Sequence, residues 1–454
     1  MTAPPTRVRY TVLGLLCLLA MITYLDRAMY GSAKADMMAA VGRPVEDFFW
    51  VLVAFQLAYA LFEIPTGWLG DRFGPRSTLL RIVLWWSLFV GLTAFAGLAI
   101  PGTEVVVIGF GVLMAMQFLF GMGEAGAFPN ISKAAYNWFP STQRGFAKGA
   151  VWMSARFAGG LTPVVWLLLT SYAGLDWRQA LWTFSAVACL WCLAFAVWFR
   201  NTPAEHPAVN DAERSLILGE KPADTSAHAV PWGRLFSSRN LWAICLMYTV
   251  TNFNWYFLMY YLPGALKAEY AKGQPAGTVT DPFTPALLGG APLLIGMFGC
   301  YLGGVLSDIH VRRTGDRKWA RRIYGMLGYG LAGVAYATAA LAVGGNFWVL
   351  AGCLIGVGFF NDLIMGPAWA TTQDVGRRYS AIVGGAMNMV GNLGATLGNL
   401  ITGLILKENP GDAGFVICFL MYAIVYGLGV LAWLLIDPTK PVVPDDQPAT
   451  GANS

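Results

Sequence analysis

Long apolar runs constrain this chain more than any other feature of its sequence. An α-helix needs about 20 consecutive apolar residues to cross the hydrocarbon core of a bilayer. Such runs are too long and too continuous for the alternating strands of a membrane barrel. The sequence therefore predicts an all-α, multi-pass protein of the cell membrane. Its twelve transmembrane helices are expected at roughly 10–32, 47–67, 78–99, 105–128, 145–170, 178–198, 240–262, 286–307, 322–343, 346–370, 379–405 and 413–436.

The composition excludes several classes of function. Only 12% of the residues are charged, about half the share of a soluble domain, and the net charge of +5 does not indicate a nucleic-acid partner. The seven cysteines all fall inside apolar runs, which favours packing roles over disulfides. The sequence contains no phosphate-binding loop, metal-ligand cluster or nucleophile elbow. We therefore expect that the protein is not an enzyme and has no catalytic site, metal site or cofactor. We expect it to be a monomer in the lipid bilayer.

The distribution of positive residues predicts the orientation in the membrane. With the N-terminus inside, 22 of the 30 Lys and Arg residues fall in inner segments and six in outer segments. The remaining two, Arg27 and Arg156, lie within apolar runs. Because positive residues mark the cytoplasmic side, both termini are expected to be cytoplasmic.

Two six-helix halves are predicted on either side of a polar segment. Residues 1–198 and 240–437 each contain six of the apolar runs. Residues 199–239 hold four prolines and are expected to form a cytoplasmic linker, and residues 438–454 a disordered cytoplasmic tail.

The loop after the second run reads GWLGDRFGPR and is a candidate conformational or gating motif. Its glycines permit a tight reversal, and its arginines are expected at the inner surface. A shorter version, GVLSD, occupies the corresponding place in the second half and indicates an internal repeat. The motif residues are Gly67, Asp71, Arg72, Gly74, Arg76 and Asp308.

These features resemble the major facilitator superfamily, and within it the anion:cation symporter branch. That branch includes bacterial hexuronate, glucarate and galactonate carriers, sialin and the vesicular glutamate transporters. The resemblance implies two six-helix bundles of the major facilitator fold, a substrate site between them, alternating access by rocking and proton-linked transport of organic anions. It rests on YLDRA (24–28), YALFEIPTGWLGDRFGPR (59–76), FLFGMGEAGAFPN (118–130), WATTQDVGRR (369–378), Asn388 and Asn392.

Ionisable residues inside the apolar runs are candidates for function, because each costs several kcal/mol at membrane depth. All three histidines fall in cytoplasmic segments, so a coupling proton has to be carried by a carboxylate. The resemblance implies that Arg27 binds the substrate carboxylate and that Asp26 and Glu124 take part in proton coupling. The alternative is that these residues only pair with neighbours and fix helix packing.

One departure from the branch concerns the position of a positive charge. Many members carry an arginine seven residues before the glutamate of the fourth helix, and a glutamine in the fifth helix. Here the fourth helix has Gln117 at that position and the fifth helix has Arg156. Our hypothesis is that Arg27 and Arg156 jointly clamp the anion. The alternative is that Arg156 is a counter-ion of Glu124.

Two further carboxylates lie in apolar runs. Glu63 is near the inner end of the second helix, where we expect it to pair with charges of the inner loop. Asp362 is the one carboxylate within an apolar run of the second half. It is a third proton-coupling candidate, but it can equally hydrogen-bond a substrate hydroxyl or pair across the bundle.

Polar and aromatic residues on the same helices are predicted to line the substrate site. Amides and aromatic rings suit a hydroxyl-rich substrate, so we predict proton-coupled symport of a small organic anion, a sugar acid of hexuronate or aldonate type. The alternative is an organophosphate or organic-anion exchanger without net proton coupling. Besides the two arginines and Gln117, the expected lining residues are Tyr24, Gln56, Tyr59, Asn252, Tyr256, Trp369, Asn388 and Asn392.

Overall fold

The apolar runs become helices because a chain in lipid has to satisfy its backbone hydrogen bonds within each segment. The computed structural model describes residues 4–100, 107–140, 143–218, 232–273 and 281–443. Within the first half it contains the helices α1 (Val8–Ala40), α2 (Phe48–Phe73), α3 (Pro75–Thr93), α4 (Phe110–Glu124), α5 (Ala127–Trp138), α6 (Arg144–Leu167) and α7 (Trp177–Trp198).

The second half has a matching series, preceded by two short helices. A π-helical segment, Phe257–Tyr261, joins the first two long elements of this series. The helices are α8 (Asp211–Leu218), α9 (Trp232–Phe236), α10 (Arg239–Tyr256), α11 (Leu262–Lys272), α12 (Phe283–Thr314), α13 (Arg317–Ala342), α14 (Phe347–Leu363), α15 (Met365–Gly376), α16 (Ser380–Glu408) and α17 (Asp412–Leu435).

Ten helical stretches in the described ranges are long and apolar enough to cross a membrane. Two of them are continuous pairs, α4 with α5 and α14 with α15. The expected runs at about 78–99 and 240–262 correspond to α3 and α10, which are not among the ten. Both are short, and α3 carries Arg76 and Arg81 while α10 carries Asn252 and Asn254. The protein is thus a multi-pass membrane protein, and the total of twelve spans stays a prediction.

Two hydrophobic cores follow the two halves of the chain. One is centred on side chains such as Trp86 and Trp138 from α1–α7, and the other on Tyr329 and Trp433 from α10–α17. A few residues of the second half, including Tyr256, join the first core. The halves therefore meet where α1, α2 and α6 face α10, α12 and α16.

Part of the predicted linker is bound to the first half. A helix in a free linker would expose its charged side chains to solvent. In helix α8, however, the side chain of Glu213 is fully buried. The Glu213 carboxylate accepts hydrogen bonds from the Arg9 guanidinium at 2.8 Å and from the Val8 backbone at 3.2 Å. Residues 219–231 of the linker lie outside the described residues.

The predicted disordered tail is ordered at its beginning, which corrects that expectation. Val442 donates a backbone hydrogen bond to the carbonyl of Val375 at 2.8 Å, and Val442 and Val443 are buried. Burial of these two apolar side chains favours packing of the start of the tail against the protein, although the tail as a whole is polar. Residues 444–454 lie outside the described residues.

The predicted gating motif forms the turn between α2 and α3. Gly74 has a φ of 80°, a conformation that favours glycine, and Gly67 faces Pro129 of α5 at ordinary contact distance. Arg76 donates from its backbone to Asn201 at 2.9 Å and from its side chain to the carbonyl of Ala196 at 2.5 Å. These bonds tie the start of α3 to the end of α7.

The other motif residues lie at the surface or in a charge network. Arg72 is exposed, and the side chain of Asp71 lies outside the described residues. In the second half, Asp308 pairs with Arg321 at 2.9 Å, and Arg321 also pairs with Asp374 at 3.1 Å. This network links α12, α13 and α15, whereas Arg76 bonds to backbone and amide groups.

Candidate functional site

A cavity of about 440 Å³ lies between the two halves. Its walls are formed by α1, α2, α5 and α6 on one side and by α10, α15 and α16 on the other. Helices far apart in sequence therefore bring polar groups to one place inside an apolar bundle. The predicted lining residues that do line it are Tyr24, Arg27, Tyr59, Arg156, Asn252, Tyr256, Trp369, Asn388 and Asn392.

Arg27 reaches the cavity from α1 and is ion-paired with Glu124 at the end of α4. The Arg27 Nε to Glu124 Oε1 distance is 2.8 Å, and the two side chains are 5% and 0% exposed. The guanidinium also lies 4.4 Å from the centre of the Tyr59 ring. Nη2 of Arg27 has no hydrogen-bond partner among the described residues. Arg27 therefore keeps one unused donor, although its charge is already matched.

Arg156 reaches the cavity from α6 and is fully engaged. Its Nε and Nη2 contact the two carboxylate oxygens of Asp362 at 2.8 and 3.2 Å, and its Nη1 donates to Tyr24 Oη at 2.7 Å. The Trp255 ring lies 3.8 Å from the guanidinium carbon. A bidentate pair of this kind joins the two halves of the molecule through α6 and α14.

The two arginines belong to one cluster with separate counter-ions. Their guanidinium carbons lie 5.7 and 5.6 Å from the centre of the same Tyr24 ring. The alternative that Arg156 is the counter-ion of Glu124 is wrong, because Glu124 pairs with Arg27. Of the roles left open for Asp362, the structure contains the pair across the bundle.

Glu63 lines the cavity, and its partners among the described residues are amides of α16 and not charges of the inner loop, which corrects the expectation for this residue. Its carboxylate accepts a hydrogen bond from the Nδ2 of Asn388 and a longer one, of 3.4 Å, from the Nδ2 of Asn392. Glu63 belongs to α2 and both asparagines to α16. A carboxyl group in the cavity is therefore held by amides of the opposite half.

Asp26 lies beside the cavity without being part of its wall. It is 1% exposed, and neither carboxylate oxygen has a hydrogen-bond partner in the described part of the chain. Glu124 and the indole of Trp86 are its interacting neighbours. Two of the three predicted proton-coupling residues, Asp26 and Glu124, therefore lie close together, and Asp362 lies across the interface.

Two predicted lining residues, Gln56 and Gln117, do not line the cavity. Both are buried behind it, at 0% and 2% exposure. Gln56 lies seven residues before Glu63 on α2, about 10 Å along the helix, and neighbours the Tyr256 hydroxyl. Gln117 interacts with Tyr30 of α1. Both amides therefore face side chains of neighbouring helices and not the cavity.

Several cavity residues escaped the sequence prediction. Lys148, which counts as an inner-loop charge in the sequence, lines the cavity together with Trp152, Trp255 and Gln373. Lys148, Trp152 and Arg156 are spaced four residues apart on α6, so they share one face of the helix. This spacing on one helix face is the sequence feature that could have indicated Lys148 and Trp152 as cavity residues.

The helices close over one end of the cavity. A Cβ added to Gly290 of α12 would lie 1.6 Å from the carbonyl oxygen of Gly160 of α6, so the two backbones are in direct contact. Lys407 of α16 also pairs across the two halves with Asp47, at the start of α2, at 2.7 Å. At the other end the wall includes residues near helix ends, such as Gln373. The cavity is thus sealed at the Gly160 end and bordered by loops at the Gln373 end.

Comparison with known proteins gives a consistent result. The model of the Major Facilitator Superfamily matches residues 16–399. A probable sulfoacetate transporter of Cupriavidus necator, SauU, is 31% identical over 447 residues, which cover 98% of this chain and 97% of that protein. A probable galactarate/D-glucarate transporter of Bacillus subtilis, GudP, is 26% identical, with coverage of 96% and 94%.

A solved structure shares the fold. It is a bacterial homologue of the human lysosomal transporter Spinster, in an inward-facing and unoccupied conformation. It superposes with a TM-score of 0.69, covers 95% of this chain and 97% of its own, and is 17% identical in sequence.

Proposed function

The chain belongs to the Major Facilitator Superfamily, and from that premise we propose that it is a proton-coupled symporter of a small organic anion. The first candidates are sugar acids. The observation that carries the proposal is that each of the two cavity arginines, Arg27 and Arg156, forms an ion pair with a buried carboxylate. An incoming anion has to compete with these carboxylates, and a proton is what neutralises a carboxylate.

The proposed topology has twelve spans, with both termini in the cytoplasm. Residues 1–198 and 240–437 form the two bundles, joined by the linker 199–239. In this orientation the sealed end of the cavity faces outwards and the end near Gln373 faces the cytoplasm, so the described state is inward-facing. The clustering of Lys and Arg in the segments assigned to the inside supports this orientation.

The proposed exchange of partners starts at Arg27. Its Nη2 is unused, so a substrate carboxylate can bind it before the pair with Glu124 breaks. Protonation of Glu124 then removes the competing charge, and the anion takes over the full guanidinium fork. Arg156 completes the clamp in the same way if Asp362 is neutralised. Binding of anion and proton are thereby coupled through shared arginines.

Asp26 is the proposed entry point for the proton on the first half. A buried carboxylate whose oxygens have no hydrogen-bond partner among the described residues is held at lower cost as the neutral acid than as the anion. The neighbouring Glu124 adds a like charge, which favours one shared proton over two charged groups. A proton can thus pass between Asp26 and Glu124 as Arg27 gains or loses the substrate.

The substrate class is supported by the cavity wall and by the relatives. Amides, hydroxyls and aromatic rings lie around the arginines, which suits a hydroxylated chain ending in an acid. The matched relatives are named for sulfoacetate, galactarate, D-glucarate and D-galactonate, all of them small organic anions.

The test is uptake of labelled acids into proteoliposomes. Galactarate, galactonate and sulfoacetate are compared with neutral galactose, with and without an inward proton gradient, at a clamped membrane potential. We expect gradient-driven accumulation of an acid that a protonophore abolishes. Exchange of a preloaded anion with no effect of the gradient would instead establish the exchanger, and transport of galactose would overturn the anion assignment.

Variants separate binding from coupling. Arg27→Lys keeps the charge but loses the fork, so it should raise the KM for the acid at least tenfold. Asp26→Asn should abolish accumulation while counterflow exchange continues. Arg156 is tested as the neutral pair Arg156→Gln with Asp362→Asn, because the single change leaves a buried carboxylate unpaired. Unchanged affinity in that double variant would exclude Arg156 from the clamp.

A further inference from the structure

Lys148 is the cavity cation that the mechanism above does not use. It projects from the first turns of α6 into the cavity wall. Its ammonium lies 4.5 Å from the centre of the Trp369 ring, which belongs to α15 in the other half. It has no carboxylate or hydrogen-bond partner in the part of the chain that the structure describes. Its positive charge therefore faces the cavity without a matching negative group.

The other cavity charges are all engaged. Arg27 and Arg156 have carboxylates at 2.8 Å, and Glu63 is held by two amides. An unmatched ammonium inside a largely apolar bundle is costly. The protein keeps one at the wall of its cavity, where an anionic ligand can supply the missing charge.

The position of Lys148 fits the far end of an elongated ligand. It lies eight residues before Arg156 on α6, about 12 Å along the helix axis, with Trp152 between them on the same face. Lysine and arginine side chains can both lean towards the space between them. A ligand anchored by one acid at the arginine cluster would therefore present its opposite end to Lys148.

We propose that Lys148, seated against Trp369, binds the second acidic group of a dianionic substrate, and that this site favours sugar diacids over the corresponding monoacids. The inference rests on the proposed function, since it assumes that an acid occupies the arginine cluster. It adds a chemical class, an extended dicarboxylate, and a residue that selects it. The aromatic ring supports the ammonium from the opposite half, so the second anionic group would bridge both halves.

Galactarate and galactonate provide the test, because they share one carbon skeleton and differ in a single terminal carboxylate. Uptake kinetics of both are measured in proteoliposomes for wild type, Lys148→Met and Lys148→Arg. The methionine variant keeps an unbranched side chain of similar length without the charge. Lys267→Met is the matched control, since it removes one charge from an exposed position on α11.

We expect Lys148→Met to raise the KM for galactarate at least tenfold and the KM for galactonate less than twofold, because one charge-assisted hydrogen bond is lost for the diacid alone. Lys148→Arg should retain most of the preference, and Lys267→Met all of it. An equal rise for both acids, or a fall in maximal rate with unchanged KM, would show that Lys148 serves general attraction or gating, and would overturn the proposal.

The two proposals fail in different ways. Wild-type protein that takes up neither acid overturns the proposed function and the diacid site together. Wild-type uptake of both acids, with the same ratio of their KM values in wild type and Lys148→Met, overturns the diacid site alone, and so does wild-type uptake of galactonate without galactarate.

Discussion

Neutralising one partner of the Arg156–Asp362 pair leaves the other as an uncompensated charge between the two halves. The changes are Arg156→Gln, Asp362→Asn and the two combined. Both side chains are almost completely inaccessible, at 4% and 0% exposure, and two contacts of 2.8 and 3.2 Å join them. With so little exposed surface, either group left alone is poorly solvated once its partner is gone.

The magnitude follows from that geometry. Removing one member of a buried pair costs about 3–5 kcal/mol, because the other keeps its desolvation penalty. In the double variant both charges are absent and two amides of similar shape face each other, so we expect a loss of at most about 2 kcal/mol. The coupling free energy, which is the sum of the two single losses minus the double loss, is then about 4 kcal/mol or more. This is far above the ~0.6 kcal/mol average of neutral polar pairs in a membrane bundle.

The assay is a double-mutant cycle on purified protein. The free energy of unfolding is measured by SDS titration in mixed micelles for wild type, both single variants and the double variant. The control cycle uses Arg214 and Asp211, an exposed pair at 3.4 Å on α8, for which we expect no resolvable coupling because solvent screens it.

A coupling free energy below about 1 kcal/mol for Arg156 and Asp362 would refute the reasoning. It would mean that water or other groups solvate each charge as well as its partner does. It would also remove the argument that an anion has to displace a strongly held carboxylate, and with it the physical basis for linking substrate and proton at this arginine.

Three further predictions concern the closed end, the cavity acid and the unpaired acid. Gly290→Ala places a Cβ 1.6 Å from the carbonyl oxygen of Gly160, where at least 3.0 Å is needed. The sealed end of the cavity then cannot close, and uptake should fall more than about tenfold. The control is Gly149→Ala on α6, whose added Cβ meets nothing within 4 Å, and it should leave uptake unchanged. Glu63→Gln removes a negative charge from the cavity wall and should lower the KM for the acid severalfold, whereas an unchanged KM would show that Glu63 carries no charge when substrate binds. Asp26→Asn should change the free energy of unfolding by less than about 1 kcal/mol, since it removes no hydrogen bond, and a large loss would show that Asp26 has a partner in the membrane.

The positions of most helices could be predicted from the sequence, because a backbone in lipid has to satisfy its hydrogen bonds within each segment. Long apolar runs became helices, and the charged residues within them identified Arg27 and Arg156 as cavity residues. The motifs around these residues pointed to the family that the comparisons show. Each of these inferences used spacing or hydropathy within a single segment, which a sequence displays directly.

The partners of the charged groups depended on the tertiary structure. Arg27 and Arg156 each have more than one carboxylate available in the sequence, and only the packing of α1 on α4 and of α6 on α14 decided which one each meets. Glu63 found its donors on α16, more than 300 positions away.

Depth in the membrane was likewise undecided by the sequence. Gln56 carries the same side-chain chemistry as a good cavity residue, yet it is buried outside the cavity wall. Lys148 counts as an inner-loop charge in the sequence, yet it lines the cavity. The sequence by itself determined which segments enter the membrane and which costly residues they carry. Tertiary packing alone decided which of those residues pair with one another and that Lys148 lines the cavity without a carboxylate partner among the described residues, because that depends on distances between helices that no local pattern encodes.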